Sequence, residues 1–96
     1  IHDFGKQHGM QMWCGGMLEA GIGRAHAIAL ATLSEFAFPS DLGSSSNYWY
    51  KDIIQPEILV DNGHIRASNE VGLGYKVDEQ YITGNSLKIT ASSHGI

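Results

Sequence analysis

The chain has 96 residues, a formal net charge of -4 at pH 7 and 43% hydrophobic residues. This length supports at most one small domain, and the mild acidity gives no reason to expect a nucleic acid or an anionic membrane as partner. No apolar run approaches the roughly 20 residues that cross a bilayer. The single cysteine, Cys14, cannot form an internal disulfide, which favours a reducing compartment.

The first residues have the pattern of the C-terminal part of a helix. Ile1 and Phe4 fall on one helical face, no capping residue precedes them, and the first residue is not methionine. We therefore expect residues 1–8 to be the end of a helix, with Gly9 at its C-terminal cap. These features predict a piece of a longer protein.

A glycine-rich stretch comes next. Residues 10–14 form a short apolar run that predicts a buried strand, and residues 22–33 carry apolar side chains at helical spacing. Residues 15–21, called the glycine loop below, connect the two. The loop and the first helical turn together contain Gly15, Gly16, Gly21 and Gly23.

A strand, a glycine turn and a helix start together suggest a place for a carboxylate or phosphate, since unpaired N–H groups and the positive dipole end lie there. Turn geometry alone explains the glycines equally well. Nucleotide motifs fit badly. Gly16 and Gly21 have the phosphate-loop spacing without its Lys-Ser/Thr, and His26 stands where the third glycine of a dinucleotide motif belongs.

The chain continues with alternating predicted helices and strands and then changes composition. Residues 36–38 predict a second short strand ended by Pro39, which gives helix, strand, helix, strand and favours a parallel α/β fold. Residues 40–47 are serine-rich and predict an exposed loop. The aromatic residues 48–50 favour packing against a neighbouring surface over stacking on a ligand.

The last third predicts small extended elements. Residues 58–66 have a hairpin pattern around Asn62-Gly63, a pair that suits positive φ. Residues 71–78 read as a loop leading into an extended segment, and Asp78 is expected to cap a short helical turn. The tail from Thr83 is polar and is expected to fray.

Several charged or titratable residues are candidates for chemistry near the glycine loop. Glu19 lies inside the loop, and Asp41 follows the second predicted strand, where parallel α/β proteins place functional groups. Each residue also has a purely structural reading. Glu19 would hold loop amides or a nearby lysine, and Asp41 would cap the following turn. Arg24 either pairs with a ligand carboxylate or is solvated. The five histidines have no metal-ligand spacing.

Specific motifs resemble one family. The run WCGGMLEAGIGRAH at residues 13–26 closely resembles the o-succinylbenzoate synthase and N-acylamino acid racemase family of the enolase superfamily. The run GLGYKVDE at residues 72–79 is similar to that family's C-terminal segment. Between them, the family's Asp-Ile-x-x-Pro, here starting at Asp52, and its Asp-Asn-Gly turn appear in the same order. The similarity covers the chain to about Ile82.

The resemblance implies a fold: the C-terminal part of a (β/α) TIM-like barrel, followed by a segment that returns to an α+β capping domain. Residues 10–14 would be the seventh barrel strand and residues 36–38 the eighth, with the helix between them. Residues 1–47 would then belong to the barrel domain, and residues 48–96 would pack on the barrel and the capping domain.

The resemblance also implies a reaction that this chain alone does not complete. In the family, a lysine takes the proton α to a carboxylate and a divalent metal, usually Mg²⁺, stabilises the enediolate. The Lys-x-Lys motif is absent here, so catalytic and metal-binding residues are expected upstream and none in this chain. Gly15, Gly16 and Met17 match the loop that contacts the succinyl or acyl part of the substrate, with Glu19 and Asp41 as second-tier candidates.

The expected protein is thus an o-succinylbenzoate synthase, cytoplasmic, in menaquinone synthesis, with a small-molecule carboxylate as substrate. An N-acylamino acid racemase is the alternative within the family. A free-standing, non-catalytic anion-binding module is the alternative from another class. The sequence alone does not select the metal, and it is compatible with a homo-oligomer.

Overall fold

The structure is a computed structural model that describes residues 1–87. Three short α-helices, one 3-10 helix and two short strands follow one another along these residues. They are α1 (His2–Gln7), α2 (Gly21–Ala31), the 3-10 helix Ser45–Asn47, β1 (Ile54–Gln55), β2 (Lys76–Val77) and α3 (Glu79–Gly84). The strands pair antiparallel, with Ile54 opposite Val77 and Gln55 opposite Lys76.

The core lies between α2 and the segment that follows residue 50. Ala25 and Ile28 on α2 are buried against Ile54 and Ile58, and partly buried side chains of the later chain, including Ile65 and Val77, surround this cluster. The buried residues of α2 recur at the i, i+3, i+4 and i+7 positions, as expected of one helical face: Gly21, Arg24, Ala25 and Ile28. The predicted helix at residues 22–33 is therefore confirmed, and its buried face packs on the C-terminal half of the chain.

The prediction of a buried strand at residues 10–14 is wrong for the described chain. Met10 and Trp13 are exposed, and residues 10–14 and 36–38 form no strand. Two backbone hydrogen bonds join the regions in the same chain direction: the N–H of Met12 donates to the carbonyl of Glu35 at 2.8 Å, and that of Asp41 to the carbonyl of Cys14 at 3.3 Å. A β-strand forms when a neighbouring strand supplies hydrogen bonds along its length. Within residues 1–87 these two segments share only the two hydrogen bonds, so neither forms a strand.

The predicted turns and caps are confirmed. Asn62 and Gly63 have φ of 50° and 76°, and Asp61 and His64 exchange two backbone hydrogen bonds across them, as in a tight hairpin. Gly9 has a φ of 66° just beyond α1. The carboxylate of Asp78 accepts a hydrogen bond from the N–H of Tyr81 at 3.0 Å and caps α3.

The serine-rich loop at residues 40–47 is less exposed than predicted. It contains the 3-10 helix Ser45–Asn47, and Ser45 is buried because its hydroxyl belongs to the polar network described below. In the tail, Thr83 lies within α3, so the predicted fraying is wrong at that residue. The part of that prediction that concerns residues 88–96 lies outside the described residues.

Candidate functional site

The first half of the glycine loop lies against the chain that follows residues 36–38. The hydrogen bond between the Asp41 N–H and the Cys14 carbonyl brings the two backbones together. A Cβ on Gly16 would overlap the carbonyl oxygen of Asp41. Gly16 is therefore required by close backbone approach within this chain, which was one of the two readings of the loop glycines.

Gly15 and Met17 have a different environment. A Cβ on Gly15 would meet only the ring of Trp13, at 3.7 Å, which is ordinary van der Waals contact. The side chain of Met17 is 76% exposed. Nothing within residues 1–87 thus requires a glycine at position 15, and the space beside it is open.

The second half of the loop is held by the aromatic segment at residues 48–50. The indole N–H of Trp49 donates to the backbone carbonyl of Glu19 at 2.9 Å. The ring of Tyr48 lies 5.5 Å from the guanidinium carbon of Arg24. Tyr48 and Trp49 make these contacts while 50% and 39% exposed, and Tyr50 is fully exposed, so packing of this segment against a neighbouring surface stays a prediction.

The start of α2 is occupied by a carboxylate of this same chain. The N–H of Gly21, the first residue of α2, donates to Oδ1 of Asp52 at 2.7 Å. A Cβ on Gly21 would overlap both the Asp52 carboxylate and the Ile54 side chain. The prediction that this helix start offers a place for a ligand anion is therefore wrong at Gly21, because Asp52 already satisfies the N–H group and the helix dipole.

A buried polar network surrounds that contact. Asp52 and Arg24 are 1% and 2% exposed. Arg24 donates to the hydroxyl of Ser45 at 2.9 Å, and Ser45 donates to Oδ2 of Asp52. The reading of Arg24 as a solvated side chain is wrong, since its guanidinium is buried and contacts Ser45 and Tyr48. The pairing of Arg24 with a ligand carboxylate stays a prediction. No buried side-chain polar atom of residues 1–87 lacks a hydrogen-bond partner.

The second-tier candidates lie near the loop. The Glu19 carboxylate lies beside the first turn of α2, since a Cβ on Gly23 would contact it at 3.4 to 3.6 Å. Asp41 is exposed, and its backbone contacts the loop. The proposed capping of a turn by Asp41 has no matching hydrogen bond within residues 1–87. His26 is exposed.

Two cavities of the described residues lie away from the glycine loop. One open cavity of about 290 Å³ lies between the end of α2 and the Asn62-Gly63 turn, and one of about 400 Å³ lies beside β2. Within residues 1–87, no three His, Cys, Asp or Glu side chains are grouped so as to hold a metal ion. No helix in that range is both long enough and apolar enough to span a bilayer.

Sequence reasoning missed the two residues that hold the loop from a distance, Asp52 and Trp49. One signal pointed to the first. The N-cap position of α2 is Ala20, which has no side-chain acceptor. A helix start without its own cap needs an acceptor from elsewhere in the chain. In the structure Asp52, an acid next to the apolar pair at 53 and 54, supplies that acceptor.

Comparison with known proteins gives a consistent family. The family model "Enolase C-terminal domain-like" matches residues 1–81. Over 82 residues the chain is 55% identical to the o-succinylbenzoate synthase of Geobacillus kaustophilus, which covers 85% of this chain and 22% of that protein. Over 74 residues it is 42% identical to the N-succinylamino acid racemase of Thermus thermophilus, a match that covers 77% of this chain and 20% of that protein.

The fold has solved counterparts. A crystal structure of an enolase-superfamily member from Listeria innocua matches with a TM-score of 0.80 and 37% identity, over 88% of this chain and 23% of that one. The chain thus spans about a fifth of the length of its curated relatives. The match over residues 1–81 and the shared fold show that this chain belongs to the enolase C-terminal domain-like family of the enolase superfamily.

Proposed function

We propose that this chain is the C-terminal barrel part of an o-succinylbenzoate synthase, which removes water from a small-molecule carboxylate substrate. The observation that carries the choice of reaction is the 55% identity to a synthase over 82 residues, against 42% to a racemase over 74. The alternative within the family is racemisation of N-succinylamino acids.

The glycine loop is the part of the substrate site that this chain would supply. Its position between two hydrogen-bonded contacts leaves Gly15 and Met17 facing open space. In this role, Gly15 lets the backbone approach the succinyl or acyl group, and Met17 shapes the space around it. Gly16 completes the turn, and the carboxylates of Glu19 and Asp41 are second-tier candidates at its edge.

The proton-transfer and metal-binding groups of the reaction would come from outside this chain. Within the described residues Lys51 is engaged elsewhere, with its ammonium 3.2 Å from the Asp78 carboxylate and 4.9 Å from the Tyr81 ring centre. Bound Mg²⁺ would supply stabilisation of negative charge on the substrate carboxylate. In the same proposal, residues 1–47 belong to the barrel and residues 48–96 pack on it and on a capping domain, in a cytoplasmic enzyme of menaquinone synthesis.

The test is a pair of assays on the full-length protein that contains this chain, with Mg²⁺ present. One assay follows formation of o-succinylbenzoate, and the other follows loss of optical rotation of an N-succinylamino acid. Dehydration at the higher kcat/KM supports the synthase. Racemisation alone would replace it with the alternative, and turnover of neither substrate would favour a non-catalytic module.

A further inference from the structure

We propose that Trp49 and Asp52 are positioning residues, which hold the second half of the glycine loop so that Gly15 and Met17 meet the acyl end of the substrate. This inference rests on the proposed function of the loop. Neither residue touches the open space beside Gly15 in the described structure. Both act through backbone atoms at the end of the loop, Glu19 and Gly21.

The Trp49 contact fixes the loop just before the helix. Its indole N–H is a single donor with a single partner, the Glu19 carbonyl, at 2.9 Å. The indole ring is rigid, and Trp49 is 39% exposed. Met17 and Leu18, the two residues before Glu19, have mostly exposed side chains. The contact from Trp49 therefore fixes a part of the loop that packs little on this chain.

The Asp52 contact fixes the loop at its last residue. Besides accepting from Gly21, Oδ1 accepts from the N–H of Ile53 at 2.7 Å, and the Asp52 N–H donates to Oε1 of Glu57 at 2.6 Å. Asp52 is thus held on its backbone as well as on its carboxylate. Hydrogen bonds to a buried, charged acceptor are strong and directional, so the helix start has little freedom to shift.

Together the contacts define where the open part of the loop can lie. The Cys14–Asp41 hydrogen bond holds one end, and Trp49 and Asp52 hold the other. Between these points, Gly15, Met17 and Leu18 are exposed. A shift of about 1 Å in a group that contacts substrate is enough to lower kcat/KM markedly. Trp49 and Asp52 should therefore influence substrate use without contacting substrate.

The decisive variant is Trp49→Phe in the full-length protein, because phenylalanine keeps one aromatic ring and lacks the N–H donor together with the second ring of the indole. Tyr50→Phe is the matched control on the same segment, since Tyr50 is fully exposed. Asp52→Asn is a second variant, which keeps Oδ1 and removes the charge. Its buried position makes loss of folding an outcome to check by thermal melting, so the conclusion rests on Trp49→Phe.

Two readouts are compared for each protein: hydrogen exchange of the peptide covering residues 13–22, and KM and kcat for succinyl and longer acyl substrates. We expect Trp49→Phe to exchange faster in that peptide and to raise KM by about 5- to 10-fold, with kcat changed by less than about 2-fold. Tyr50→Phe should match the unsubstituted protein in both readouts.

Faster exchange with unchanged KM and unchanged acyl preference would overturn the positioning role. Unchanged exchange in Trp49→Phe would show that the N–H does not hold the loop, which also overturns it. If the unsubstituted protein turns over neither substrate, the proposed function fails, while the exchange readout still decides whether Trp49 holds the loop.

Discussion

Gly15 and Gly16 are neighbours in the chain, but their surroundings impose different requirements. Gly16 faces the Asp41 carbonyl, where a Cβ would overlap, and Gly15 faces open space with one ordinary contact to Trp13. Turn geometry therefore explains Gly16 without any ligand. Within the described residues it does not explain Gly15, which leaves that position available for a role toward substrate.

The pair gives a residue-scale prediction for stability. In the full-length protein, Gly16→Ala should lower the free energy of unfolding by about 1 to 3 kcal/mol, because the backbone must move to admit the methyl group. Gly15→Ala should change it by less than about 1 kcal/mol, since its methyl group contacts only the Trp13 ring. Thermal and urea melts of both variants measure this. Equal destabilisation would contradict the assigned environments.

Among the elements, α3 depends on a single charged cap. Asp78 accepts from the Tyr81 N–H at 3.0 Å, and its Oδ2 lies 3.2 Å from the Lys51 ammonium. The Tyr81 N–H first, and then Lys51, hold the pKa of the Asp78 carboxyl below its ordinary value of 3.8. Because the pKa of Asp78 is lower in the folded protein than in the unfolded chain, its ionised carboxylate stabilises the folded protein at pH values above the unfolded-chain pKa. This stabilisation is lost as the pH falls through the folded-state pKa.

Asp78→Asn tests this cap, because asparagine keeps an oxygen acceptor and removes the charge. At pH 6 the peptide over residues 78–84 should exchange hydrogen faster in the variant than in the unsubstituted protein. Well below pH 3.8, where Asp78 itself becomes protonated, the difference should shrink. The readout is hydrogen exchange by mass spectrometry at both pH values. A difference of the same size at both would contradict the role of the charge.

Local chemistry made most elements predictable from the sequence. The helix at 22–33 follows from apolar spacing, the Asn62-Gly63 turn from positive φ, and the cap of α3 from one carboxylate. The failures concern long-range partners. A strand at residues 10–14 depends on neighbours along its length, and the occupant of the α2 start is Asp52, 31 residues away. A helix start without its own cap indicates that a distant acceptor is needed, but spacing along the chain does not identify which residue supplies it.

At the scale of the molecule, the core is small and much apolar surface is uncovered. Within residues 1–87, four hydrophobic residues are buried: Ala25, Ile28, Ile54 and Ile58. Large apolar side chains, including Phe4, Trp13, Met17 and Leu18, are more than half exposed. Exposed apolar surface of this kind is characteristic of surfaces that pack against other protein. The relatives, of which the chain spans about a fifth, have additional chain that could cover it.

The isolated 96-residue chain should therefore be loosely folded or aggregate, and should show neither dehydration nor racemisation with or without Mg²⁺. Size-exclusion chromatography, thermal melting and the two activity assays measure these outcomes. A monomer with a sharp cooperative melt would instead favour the free-standing anion-binding module. Turnover by the isolated chain would contradict the proposal that the reacting groups lie outside it.

The central claim is that the glycine loop lines the substrate site, and kcat/KM of Gly15→Val in the full-length protein tests it most directly. Valine would fill the open space beside the loop, so kcat/KM should fall by about 10-fold or more, equivalent to about 1.4 kcal/mol of transition-state binding. The melting temperature should stay near that of the unsubstituted protein. Gly84→Val is the matched control, because that glycine also faces open space, in α3. An unchanged kcat/KM in folded Gly15→Val protein would contradict the claim.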